Sequence, residues 1–167
     1  MKAKEGKRDM KLVLQAFDPA AFAAFGSVVE RPAAKGSADL LAHLGKGGSG
    51  TALCVKLDTH AAGSLPMQAP RMESHPLTEQ LFLPIGPAHY AIGAALPGSD
   101  GAPDLATLRG FLVNGNTGIC YRRGVWHLPI TILDRASTFL MMMAATGDPA
   151  VDTAWAELAT PLDVTPA

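Results

Sequence analysis

From Met67 onward, glycine and proline cut the chain into short apolar runs, and a long amphipathic helix cannot cross such breaks. The runs are Met67 to Ser74, Gln80 to Pro84, Tyr90 to Ala95, Arg109 to Val113, Gly118 to Tyr121, His127 to Leu133 and Thr138 to Ala144. Turn-forming clusters separate them, among them Pro97-Gly98-Ser99-Asp100-Gly101 and Gly147-Asp148-Pro149. Asn114-Gly115, between two apolar runs, predicts a hairpin turn. Many short strands with regular turns predict a mainly β fold, a sandwich or barrel, with a few short helices.

Upstream, strands are expected at 11–15, 27–30 and 51–57. Asp18-Pro19 suits the cap and first position of a short helix over 19–25, which Gly26 would end. Residues 31–50 read as a long loop with one helical turn at Leu40, Leu41 and Leu44, and loops of this length are often functional. Pro103 to Leu108 reads as a brief helical turn, and Thr153 to Leu158 as a closing helix. Residues 1–10 form a polar, charged tail, and 11–167 a single β-barrel domain. A chain of 167 residues is long enough for one sizeable core.

Composition removes several function classes. With 14 basic and 15 acidic residues the net charge is −1, so the basic surface of a nucleic-acid binder is missing. No run reaches the roughly 18 apolar residues of a membrane span. The charged residues before Met10 are followed by no long apolar stretch, which argues against a secretory signal. Cys54 and Cys120 are too few for a disulfide framework or a four-thiolate site; they could form one bridge, and as two scattered thiols they suit a reducing cytoplasm equally well. There is no GxGxxG, Walker loop, CxxC or HExxH.

Two constellations carry chemistry. In Glu73-Ser74-His75-Pro76-Leu77-Thr78-Glu79-Gln80, period-two alternation puts Glu73 and His75 on one strand face. A hairpin after Pro76 would bring Gln80 beside them, inside a small barrel. Glu79 has the opposite parity and is expected to point outward. The second constellation is Tyr121-Arg122-Arg123-Gly124-Val125-Trp126-His127-Leu128-Pro129, in which His127 supplies a fourth inward group. The spacing in both is similar to that of the cupin motifs. The tentative metal set is therefore Glu73, His75, Gln80 and His127, a mixed set acceptable to a divalent metal such as Ni, Mn or Zn. Arg71 shares the Glu73 face and could clamp a carboxylate, as could Arg123. Tyr121 and Trp126 suit either core or site.

With these residues in view, the chain resembles the ureidoglycolate lyase family. The resemblance rests on Met72-Glu73, His75-Pro76-Leu77, Gln80 and Phe82, then Pro103-Asp104 and Leu108-Arg109. It continues through Asn114-Gly115, Gly118, Tyr121, Arg123, Val125-Trp126-His127 and Pro129. It covers roughly residues 11–145. The family often has His at the positions of Arg122 and Leu128, and Arg at that of Ser74. The resemblance implies a cupin-like double-stranded β-helix, a bicupin-like barrel, forming a cytoplasmic homodimer without nucleic-acid or membrane partners. It implies a carbon–nitrogen lyase of amidine-lyase type, acting in allantoin and purine degradation. That enzyme cleaves the small carboxylic acid (S)-ureidoglycolate into glyoxylate and urea. His127, Glu73 and Tyr121 would be catalytic, and Arg71, Arg123 and Trp126 would bind substrate. Two rivals are a non-catalytic cupin that binds a small carboxylic acid and a lyase or hydrolase for a related ureido or α-hydroxy acid.

Overall fold

The computed structural model describes residues 10–167. Except for Met10, which opens the first strand, the expected polar tail lies outside the described residues. Twelve strands are present among them: β1 (Met10–Ala16), β2 (Gly26–Val29), β3 (Ala52–His60), β4 (Met67–Ser74), β5 (Gln80–Pro84) and β6 (Ala88–Ala95) come first. There follow β7 (Arg109–Gly115), β8 (Gly118–Tyr121), β9 (Trp126–His127), β10 (Thr131–Ile132), β11 (Ser137–Ala145) and β12 (Ala154–Pro166). Two one-turn helices, α1 (Pro19–Phe22) and α2 (Pro149–Asp152), each begin at an Asp-Pro pair whose aspartate accepts a backbone N–H.

One sheet runs β10-β6-β7-β1-β12-β4-β9, and β9 pairs back onto β6, which closes six of its strands into a barrel. A second sheet, β2-β8-β5-β11-β3, packs against it. Alternation along each strand separates the cores. Leu12, Leu14, Met72, Leu128, Leu162 and Val164 belong to the cluster that fills the closed barrel. Tyr90, Ile92 and Phe111 turn the other way and meet Phe82, Tyr121 and Phe139 between the sheets. The barrel is tight. A Cβ on Gly93 would come within 2.9 Å of both Leu12 and Leu128, and one on Gly110 within 2.7 Å of Leu14. Glycine is thus required where leucines interdigitate.

Several expectations change. Asn114-Gly115 does not close a hairpin: β7 pairs with β6 and β1, whereas β8 pairs with β2 and β5. Gly115 keeps a positive φ of 78°, but the turn carries the chain between sheets. The segment after Pro76 likewise links two sheets, since β4 pairs with β12 and β9. The run His127 to Leu133 breaks into two short pairings around Pro129, which has no N–H to donate. Of Thr153 to Leu158, expected as a helix, Ala154 onward is strand and Thr153 caps α2. The segment's alanines favour helix locally, but the backbone of β12 pairs with β4 and β1 across the barrel.

The 31–50 loop crosses the outer face of the second sheet, where Leu40 and Leu44 pack on the cluster of Val29, Leu81 and Cys120. It is fastened by Arg31 to Asn116, by Ser27 Oγ to His43 Nδ1 and by the Gly45 N–H to Glu79. Cys54 and Cys120 are free thiols. None of the helices among the described residues is long and apolar enough to cross a membrane.

Candidate active site

Glu73 on β4 faces His127 on β9 in direct antiparallel register. Trp126 and Leu128 point into the barrel, so His127 points out of it, toward the second sheet. From that sheet β5 presents Gln80 and β8 presents Tyr121, again opposite each other. His75, just past β4, completes the group. The expected convergence of Glu73, His75, Gln80 and His127 is therefore present, but it lies between the two sheets. The barrel interior, where the group was expected, is filled by leucines.

The geometry is compact. The His75 and His127 rings are 5.5 Å apart, and the Tyr121 ring stacks on His127 at 4.2 Å and 3°. His127 Nδ1 is 3.7 Å from a Glu73 carboxylate oxygen and 3.3 Å from the Leu128 carbonyl. His75 Nδ1 is 3.0 Å from the Asp152 carbonyl. A carbonyl only accepts, so each Nδ1 carries the hydrogen and each Nε2 keeps its lone pair. Asp152 is held for this task, because its carboxylate accepts the Thr146 N–H and hydroxyl and the Gly147 N–H. These bonds keep its carboxyl below the usual carboxylate range.

Four buried polar atoms here have no partner: His75 Nε2, His127 Nε2, Gln80 Oε1 and Tyr121 OH. Orphaned polar atoms are costly in a protein interior, and four around one point call for a ligand. The Gln80 amide nitrogen turns to Met143 Sδ at 3.8 Å, which leaves its oxygen facing inward. Ligand atoms of Glu73, His75 and His127 all lie within 4.8 Å of one another. Two imidazole lone pairs, a carboxylate and a neutral amide oxygen fit a divalent transition metal, and the Asp152 carbonyl on His75 is the usual outer support.

Burial sets the protonation states. Desolvation lowers His127 to about 3, helped by His75 nearby, and lowers His75 as well. It raises Glu73, against the opposing charge of Arg71, and holds the Tyr121 phenol well above its ordinary range. Burial thus favours neutral imidazoles at His75 and His127 and a neutral phenol at Tyr121, and raises the proton affinity of Glu73.

The other sequence candidates are placed differently. Arg71 is exposed, and its guanidinium carbon lies 4.2 Å above the Trp155 ring. Arg123 is outside the cluster: it donates to the Lys46 carbonyl and lies 3.8 Å from Glu79. Trp126 faces the barrel core, its indole N–H donating to the Gly101 carbonyl at 2.9 Å. Asp152 and Trp155 were missed by sequence reasoning. Strand alternation in Ala154-Trp155-Ala156-Glu157-Leu158 is the signal that could have found Trp155. Surface clefts of ≈ 610 Å³, beside Arg31 and Leu83, and ≈ 440 Å³, beside Phe17 and Leu112, lie elsewhere. They gather no comparable set of buried polar atoms among the described residues.

A closed barrel backed by a second sheet, with a histidine–carboxylate–amide centre between them, is the architecture of a cupin-like protein. The sequence model of the ureidoglycolate lyase family matches residues 9–164, and the chain belongs to that family. It is similar to the ureidoglycolate lyases of Escherichia coli K12 / DH10B and Shigella boydii serotype 18, at 36% identity over 86 residues. That match covers 52% of this chain and 52% of each relative, so the chain spans about half the length of the curated relatives it matches.

Proposed function

We propose that this protein is a carbon–nitrogen lyase of amidine-lyase type, splitting (S)-ureidoglycolate into glyoxylate and urea. The observation that carries this is the cluster of Glu73, His75 and His127 beside Gln80 and Tyr121, in which four buried polar atoms lack partners. The substrate has a hydroxyl, a carboxylate and a ureido nitrogen on one carbon. Its cleavage needs a group that takes the hydroxyl proton and returns it to the departing nitrogen. As the proton leaves, the oxygen's electrons form the glyoxylate carbonyl, and the carbon–nitrogen bond breaks with its electrons going to nitrogen. Protonation there gives urea.

Glu73 suits the proton transfer. Its affinity for protons is raised toward the working pH, and its side chain is 18% exposed where the rest of the centre is buried. His127 at about 3 is too weak a base for that role and holds a lone pair on the centre instead. Glu73, His75, Gln80 and His127 would hold a divalent metal such as Ni, Mn or Zn, with the second Glu73 carboxylate oxygen left for the proton. When bound, it would polarise the substrate oxygen and favour loss of the hydroxyl proton. The Tyr121 hydroxyl, neutral and unpartnered, orients the substrate hydroxyl. Arg71 supplies the cation for the carboxylate.

The functional unit we propose is a cytoplasmic homodimer. On edge strand β3, Leu53, Val55 and Leu57 are more than half exposed. Antiparallel pairing of two copies about Leu57 would set Lys56 of one opposite Asp58 of the other, a favourable cross-strand pair. The test of the activity is turnover in Glu73→Gln and His127→Asn. Both are expected to stay folded and to lose about 10²-fold or more in kcat. Unchanged kcat in either would overturn its role.

A further inference from the structure

We propose that Trp155 is a positioning residue, whose indole holds Arg71 at the mouth of the centre to form the subsite for the substrate's carboxylate. This deepens the lyase reading and rests on it. The mouth is defined by exposure. His75, Gln80, Tyr121 and His127 are all buried, and Glu73 is the member of the cluster that solvent reaches. Solvent therefore meets the side chains of the centre at Glu73.

Glu73 is flanked on two sides. Trp155 of β12 stands directly opposite it in the β4–β12 ladder, 47% exposed. Arg71 lies two residues back on the same strand face, roughly 6.6 Å along the strand. The guanidinium carbon sits 4.2 Å from the Trp155 ring centroid, a cation–π contact. Glu157 is directly opposite Arg71 in the ladder, yet no ion pair joins them among the described residues. Stacking uses the face of the guanidinium and leaves the N–H edges free, the arrangement that receives a carboxylate with two parallel hydrogen bonds. Without the indole, Arg71 would be a long exposed side chain with many rotamers, and its ordering would be charged to each binding event. An arginine two residues from Glu73 on one strand face suits a small acid whose carboxylate lies close to the reacting carbon. A neutral amide of the same shape should gain nothing from the pair.

The test compares wild type with Trp155→Leu, Trp155→Phe and Arg71→Lys. Glycolate and its uncharged counterpart glycolamide are titrated calorimetrically, and kcat and KM are measured with (S)-ureidoglycolate. Thermal melts confirm that each variant is folded. Wild type should prefer glycolate. Trp155→Leu and Arg71→Lys should each weaken glycolate binding and raise KM by about five- to tenfold with glycolamide unaffected, and Trp155→Leu should keep kcat within about twofold. Trp155→Phe, which restores an aromatic face, should recover most of the loss. Equal loss for glycolate and glycolamide, or a fall in kcat at constant KM, would overturn the proposal, as would a wild type that binds both ligands alike. If wild type shows no turnover but its glycolate preference depends on Trp155, the subsite stands and the lyase reading fails. Normal turnover with a Trp155→Leu variant indistinguishable from wild type would show the reverse.

Discussion

His127 is buried, neutral and lowered to about 3, which makes the fold sensitive to acid in a way that can be measured. In the unfolded chain its imidazole titrates near the ordinary value of 6.5. Between these two values the unfolded state binds a proton that the folded state does not. Stability is therefore fully present above pH 6.5 and is lost as pH falls toward 3. From pH 7 to pH 5 the His127 contribution alone amounts to about 2 kcal/mol. His75, also lowered, acts in the same direction. Glu73 is raised, so it opposes them over the window just above its ordinary 4.5. The comparison of wild type with His127→Asn isolates the first contribution, because the other two groups remain in both proteins. Metal-free protein, prepared with a chelator, would be unfolded in urea at pH 7, 6 and 5 and followed by far-ultraviolet circular dichroism. The stability gap between wild type and variant should shrink by about 2 kcal/mol from pH 7 to pH 5. A gap constant to within about 0.5 kcal/mol would mean that His127 is not held as a buried neutral imidazole.

Other consequences follow from packing and placement. Gly93→Ala would drive a methyl to 2.9 Å from Leu12 and Leu128 and should destabilise by about 1–3 kcal/mol, read from urea midpoints. Arg123→Ala should change KM for (S)-ureidoglycolate by less than about threefold, since its guanidinium is engaged by the Lys46 carbonyl and Glu79 outside the centre; Arg71→Ala should raise it by about tenfold or more. If the proposed homodimer forms through β3, wild type should sediment as a dimer and Leu57→Lys as a monomer; a dimeric variant would place the interface elsewhere, and a monomeric wild type would overturn the dimer.

The centre was legible because strand alternation is short-range physics. Glu73 and Gln80 lie on strands with the right parity, and His127 follows a glycine turn that re-enters the sheet. The same alternation sends Trp126 into the barrel, although nearness to His127 in the chain suggested the site. What was not legible depends on pairing between distant segments. The turns after Pro76 and at Asn114-Gly115 look like hairpins locally, and only the partners of β4, β5, β7 and β8 show that they join different sheets. Alanines in Ala154-Trp155-Ala156-Glu157 masked a strand as a helix, because alanine favours helix and its small side chain gives a weak alternation signal. That masked both Trp155 and its contact with Arg71. Arg123 sits on an irregular turn, where no periodicity fixes its direction.

The most direct test of the lyase assignment is product release from (S)-ureidoglycolate by purified protein, with urea and glyoxylate quantified as isolated, after chelation, and after restoring Ni²⁺, Mn²⁺ or Zn²⁺. Equimolar urea and glyoxylate, reduced by chelation and recovered with metal, is the result the site predicts. Release of ammonia without urea, or no turnover under any of these conditions, would contradict it.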